Sequence, residues 1–373
     1  MNFQSWRNAC WVGLLLLVSA CSSVDKPKPA ALGANPELFG VRKAWGVNIG
    51  EVGFPLQLAS AGSELAVASG AGTIAVLDAK TGQDVWRIAS KEGLAAGVGF
   101  DGKRVAVVTR TNALLVFGAG KELWRADLGT TVVTPPLVAG GRVFVLGSDR
   151  TVLAFDGATG RMLWQQQRGV DALVLRQPGL LTAVGDTLAV GIGGRMQGLN
   201  PLNGTLRWDI AVANSRGSNE VEKLIEIPAG VARDGQQLCV RAYQHSLGCV
   251  DTAKPMLQWS KASAGFTGLA GDSETVVGAD AQGVISAYKR QSGDSVWTTN
   301  LLRYRQLTAP AMVGRSVVIG DADGNVHLLS KIDGSVLTRM TTDGSAIAST
   351  PVLAGQTLVV VTQRGGVFGF KPE

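Results

Sequence analysis

One short pattern recurs along the chain and limits its fold more than any other feature. From Gly72 the sequence reads GTIAVLDAKTGQDVW, from Arg150 RTVLAFDGATGRMLW, from Gly194 GRMQGLNPLNGTLRW and from Gly283 GVISAYKRQSGDSVW. Each copy is an alternating apolar strand, a turn with glycine and a short strand closed by Trp. Residues 112–124 repeat it with two turn residues deleted, residues 245–259 with Lys254-Pro255 in the turn, and residues 324–338 with Thr338 in place of Trp. Ahead of each copy lies another apolar alternation broken by Gly, such as PPLVAGGRVFVLGSD before Arg150, which predicts two further strands joined by a tight turn. Four strands per ~40 residues make one blade of a β-propeller.

Trp45, Trp86, Trp124, Trp164, Trp208, Trp259 and Trp297 stand 41, 38, 40, 44, 51 and 38 residues apart. Each is expected to pack its ring on the neighbouring blade rather than to stack a sugar. The eighth copy is split. The chain ends in GGVFGF plus three residues, the start of the pattern without its Trp strand, whereas the segment around Trp45 has the Trp strand without those before it. The sequence therefore predicts an all-β, eight-bladed β-propeller of four-stranded antiparallel blades over residues 41–373. The N- and C-terminal strands share one blade, which closes the ring and removes the free edges.

Residues 1–20 read as a signal peptide. The apolar run from Trp11 to Ala20 is ten residues long, the length of a signal core and too short to span a bilayer. It ends Val18-Ser19-Ala20-Cys21, which resembles a bacterial lipobox, with Val18 where Leu is commonest. Cys21 is thus the expected lipidation site, and its acyl chains the expected membrane anchor. Ser22 rather than Asp after the Cys points to the outer membrane, facing the periplasm. Residues 21–40 carry three prolines and no apolar period, and read as a flexible tether with a reach of roughly 60 Å.

The net charge of +6 would suit nucleic acid, but Lys and Arg are scattered singly and no basic run is interleaved with aromatics, so nucleic acid is not an expected partner. Catalysis is not expected either. The two His, His245 in a predicted turn and His327 in mid-strand, stand beside no nucleophile signal and no metal-ligand spacing. Asp78, Asp156 and Asp251 recur at one slot before the turn, where Asp stabilises the turn. The segment LCVRAYQHSLGC reads as a hairpin centred on Gln244, which sets Cys239 directly opposite Cys249. The pair is placed either to form a disulfide in an oxidising compartment or to sit as two small buried thiols.

The symmetry breaks in two adjacent places, after Trp164 and after Trp208. Residues 165–177 read QQQRGVDALVLRQ and residues 211–227 read AVANSRGSNEVEKLIEI. Both connect the last strand of one blade to the first of the next, so they should emerge side by side on one face. Leu173, Val174 and Leu175 form an apolar run that a solvent-facing loop has little reason to keep, and Arg176 follows it. The second loop offers Glu220, Glu222, Lys223 and Glu226. Apolar anchors beside an Arg, with a charged rim, suit a protein partner. The alternative is that Leu173 and Leu175 turn inward while Arg176 pairs with Glu226 to hold the loops together.

The repeat is similar to the quinoprotein-type repeat and lacks the Gly-His and Trp-Asp marks of WD40 blades. Lipobox, Pro-rich segment and eight such blades together resemble the BamB family, lipoproteins of the outer-membrane β-barrel assembly machinery, over essentially the whole chain. The resemblance implies a scaffold that binds the periplasmic POTRA domains of BamA, and through it the other Bam subunits, and that helps deliver or position unfolded outer-membrane proteins. It implies no cofactor. Its contact pattern is a Leu-x-Leu-Arg run, matched by Leu173, Leu175 and Arg176, and two acids two residues apart, of which Glu226 matches the first and Pro228 replaces the second. The competing reading is an envelope quinoprotein or sugar-binding propeller. Quinoprotein dehydrogenases hold pyrroloquinoline quinone and calcium on the axis, often beside a disulfide of adjacent Cys, and this chain has no Cys-Cys pair.

Overall fold

The computed structural model describes residues 27–169, 174–214 and 224–373. Cys21, Leu173, Glu220, Glu222 and Lys223 lie outside the described residues. The strands form eight four-stranded antiparallel sheets, and no helix occurs among the described residues. Blades 1 to 7 span residues 59–89, 94–127, 137–167, 181–211, 232–262, 270–299 and 311–341. Blade 8 takes Val352–Ala354, Thr357–Val361 and Gly366–Pro372 from the C-terminus and Val41–Asn48 as its outermost strand. The split copy thus closes the ring as the repeat predicts.

Hydrophobic patterning explains each strand's place. Middle strands are buried on both faces, as in Val105–Thr109 and Thr357–Val361, because each sheet is sandwiched between two others. One apolar cluster joins Ala106, Val108, Leu114 and Val116 of blade 2 to Val143, Val145, Leu153 and Phe155 of blade 3. The outermost strands alternate with solvent, as in Asp84–Ala89. Connections between blades and the turns between second and third strands share one face: Ser90 N–H donates to Gly72 O (2.8 Å) and Leu94 N–H to Gly70 O (3.2 Å). We call this the connection face. The other two turns of each blade make the opposite, hairpin face.

The repeat's Trp and its turn glycine serve one contact. The indole N–H of Trp45, Trp124, Trp164, Trp259 and Trp297 donates to a carbonyl in the outer turn of the next blade at 2.7–3.0 Å. Each of these rings lies over the turn glycine there. A Cβ added at Gly82, Gly160, Gly204, Gly293 or Gly334 would stand 2.5–2.7 Å from it. Trp208 departs from this pattern, because blade 5 carries Lys254-Pro255 and no glycine in that turn. Its ring covers Gly198 of its own blade and packs on the apolar cluster shared with blade 5. Thr338 stands in the Trp slot of blade 7 because the chain termini occupy blade 8 where a turn would be, so no turn awaits an indole there. Asp78, Asp156 and Asp251 accept from turn amides two and three residues on, the role read for them.

Residues 30–39 differ from the free tether expected. They run along the rim of blade 7, held by bonds to Arg303, Arg305, Leu337 and Arg339. These bonds use backbone groups and one Asn amide, which leave no apolar period to read.

Candidate partner-binding site

The two long connections leave blades 3 and 4 on the connection face and are tied to each other. Gly179 and Pro228 form an antiparallel bridge. Leu180 N–H donates to Ile227 O (2.9 Å), and Ala229 N–H to Pro178 O (2.8 Å). Each loop is also fixed to the scaffold: Gly179 N–H donates to Thr134 Oγ1 (2.9 Å), and Tyr243 N–H to Glu226 O (2.8 Å). Ile225 and Ile227 are buried in the core beneath. The described ends of the two loops therefore form one supported surface.

Arg150 stands between them. It occupies the turn slot held elsewhere by Gly72, Asn112, Gly283 and Gly324, and it adopts the same left-handed backbone, φ +65°. Its guanidinium lies 3.8 Å from Glu226, both side chains largely buried. Arg150, Glu226, Val174, Leu175 and Ile227 line one cleft. Leu175 is half-buried at its edge, whereas Arg176 is exposed. Arg176 makes no hydrogen bond or ion pair among the described residues. The arrangement thus separates the two charges that the sequence left as an alternative pair: Glu226 faces Arg150, and Arg176 is left to solvent.

Arg150 is the residue that sequence reasoning missed. Its signal was an Arg in a slot where glycine is the natural occupant, since a left-handed backbone costs an L-residue about 1–2 kcal/mol. Pro228, the departure from the acidic pair, is buried in the bridge between the loops.

Two other places gather polar groups that could carry chemistry. The axial channel is lined by residues such as Gln57, Thr134, Pro178, Ala229, Thr308 and Ser349, and no carboxylate or cation is among its lining residues. That set offers neither the oxygen cage calcium takes nor a counter-charge for an anionic quinone, so the axis does not fit such a group. The second place is in blade 7. Asp321 accepts from Arg305 Nε (2.8 Å) and His327 Nε2 (3.0 Å), and Arg305 Nη2 also pairs with Asp323. Burial pushes the Asp321 carboxyl up, but hydrogen bonds from His327, Arg305 and Asn325 outweigh it and hold the group well below the usual carboxylate range. His327 is fully buried, so this cluster is structural. Among the described residues no group of three His, Cys, Asp or Glu side chains is placed to hold a metal. Cys239 and Cys249 face each other across adjacent strands of blade 5 and are joined by a disulfide.

Fold and site together define a closed propeller that presents a supported loop surface. A family model described as outer membrane protein assembly factor BamB matches residues 70–299. The outer membrane protein assembly factor BamB of Burkholderia pseudomallei is 38% identical over 365 residues, 96% of each chain. The chain belongs to the BamB family of outer-membrane protein assembly factors. The crystal structure of BamB from Moraxella catarrhalis superposes with a TM-score of 0.81 at 24% identity, over 89% of this chain and all of that one. Quinohemoprotein alcohol dehydrogenase from Comamonas testosteroni shares the fold alone, with a TM-score of 0.68 at 13% identity over 92% of this chain and 79% of that one.

Proposed function

We propose that the chain is a non-catalytic scaffold lipoprotein of the Bam complex, anchored through Cys21 to the outer membrane on its periplasmic side. It docks the POTRA domains of BamA through Leu173, Leu175 and Arg176, with Glu226 supporting the surface through Arg150. Docking there places the propeller beside the machine that inserts β-barrel proteins. The observation that carries this reading is the division of charge: Glu226 is taken up by Arg150, while Arg176 stands exposed beside the half-buried Leu175. An anchor next to a free guanidinium is the layout of an interface centre.

The test measures affinity for isolated POTRA domains together with the melting temperature. Leu175→Glu should weaken binding at least thirty-fold, about 2 kcal/mol, because docking would bury an unpaired charge. Arg176→Glu should weaken binding while the melting temperature barely moves. Wild-type affinity in both variants would place the contact elsewhere on the propeller.

A further inference from the structure

Residues 30–39 are a part of the described chain that the repeat does not explain. The strand Val41–Asn48 is the outermost of blade 8 and leads into the connection to blade 1, so it begins on the hairpin face. A chain running backward from Val41 without support would leave the propeller there. Instead it crosses to the rim of blade 7 and climbs the outermost strand, Val336–Thr341. Leu38 N–H donates to Leu337 O (2.9 Å). The Asn35 side chain then does what a strand residue would do: its Nδ2 donates to Arg339 O (3.0 Å), and its Oδ1 accepts from Arg339 N–H (2.8 Å). Arg339 Nη2 adds a bond to Gly33 O (2.9 Å).

The climb ends on the connection face. Leu32 packs on the apolar cluster between blades 6 and 7. Both backbone groups of Ala30 are used there: its N–H donates to Arg303 O (2.8 Å), and its carbonyl accepts from Arg305 Nη1 (2.9 Å). Arg305 is set for this by Asp321 and Asp323, so the buried cluster of blade 7 is the clamp at the end of the path. An edge strand presents unpaired backbone groups, and here the chain's own leader takes some of them.

We propose that residues 30–39 are a docked strap that carries the N-terminal anchor from the hairpin face to the connection face, so that the bilayer and the partner-contact loops lie on one side of the propeller. The membrane half of this rests on the lipidation of Cys21. Ala30 lies nine positions after Cys21, a stretch that spans at most ~30 Å. The strap therefore holds the connection face about twice as close to the membrane as an undocked tether would allow.

Spin-label distances test the route without lipid. In the full chain carrying Cys10→Ser and Cys21→Ser, a label at Lys28→Cys is paired with one at Gln282→Cys or at Ser292→Cys. These two exposed positions flank the strand Ile285–Lys289 of blade 6, on the connection and hairpin faces respectively. The expected result is a narrow and shorter distance to position 282. Ala30→Pro combined with Asn35→Ala removes one N–H donor and the strand-like amide pair, and should broaden both distances and abolish the preference. Equal distances in the otherwise native chain, or a preference unchanged by the double variant, would overturn the strap. In a second arm, chain with native Cys21 is bound to vesicles containing headgroup-nitroxide lipid. A dye at position 282 should be quenched more than one at 292. Stronger quenching at 292 would overturn the membrane half. Failure of the chain to float with the vesicles would overturn both that half and the lipid reading, while the spin-label distances judge the strap independently.

Discussion

Arg150 and Asp321 show two ways a charge is kept inside this scaffold. Arg150 sits in a left-handed turn slot where glycine would be unstrained, and its guanidinium reaches Glu226 between the two long loops. The repeat made that slot legible as a departure, but its partner lies in a connection with no repeat to align it. Asp321 accepts from Arg305, His327 and Asn325 in a sealed pocket. Its folded carboxyl titrates below the unfolded value of about 3.9, so its contribution to stability is complete above that value and is lost as the pH falls through the folded one. Asp321→Asn removes the carboxylate that accepts from His327 and leaves Arg305 with Asp323 alone, and should cost on the order of 3 kcal/mol at pH 7. Urea unfolding at pH 7 and pH 3 checks this: the gap between wild type and variant should narrow at the lower pH. An equal gap at both would show that the carboxylate does not carry the effect.

The Trp-on-glycine contact works at the scale of neighbouring blades. It requires a turn glycine both for its left-handed backbone and for the space that the ring fills. Gly140 and Gly160 separate the two demands. Both have positive φ, +57° and +74°, but a Cβ at Gly140 meets nothing within 4 Å, whereas one at Gly160 stands 2.6 Å from the Trp124 ring. Gly140→Ala should therefore cost about 1 kcal/mol, the backbone strain alone. Gly160→Ala should cost a further 1–3 kcal/mol for overpacking. Thermal unfolding of both variants measures the difference, and equal losses would mean that the ring contact contributes nothing. Sequence made both members of this contact visible as repeat slots. It placed each ring on the neighbouring blade but could not show that the turn glycine is what the ring covers there, since most copies contain both a Trp and a glycine of their own.

At the scale of the whole molecule, stability depends on one blade built from both ends of the chain. The strand Gly366–Pro372 pairs with Val41–Asn48 on one side and Thr357–Val361 on the other. Val41–Asn48 has one strand neighbour, while its Trp45 bonds blade 1. Deleting residues 363–373 should thus lower the melting temperature more than deleting residues 42–49, and both truncations should aggregate through the opened edge. A truncated chain that melts like the intact one would show that closure lies elsewhere.

Fold class, blade number, the split blade and the two enlarged connections follow from the sequence alone, because a repeat writes the same local solution many times and each departure stands out against the others. The facing of Cys239 and Cys249 is of the same kind, a local hairpin with a fixed register. What only the tertiary structure decided are contacts between segments with no common period. Glu226 pairs with Arg150 rather than Arg176 because a turn of blade 3 reaches beneath the loop. Residues 30–39 lie along blade 7 because Asn35 and Ala30 find partners some three hundred residues away in the chain. Such pairings are set by which surfaces ring closure brings together, and spacing along the chain carries no trace of them.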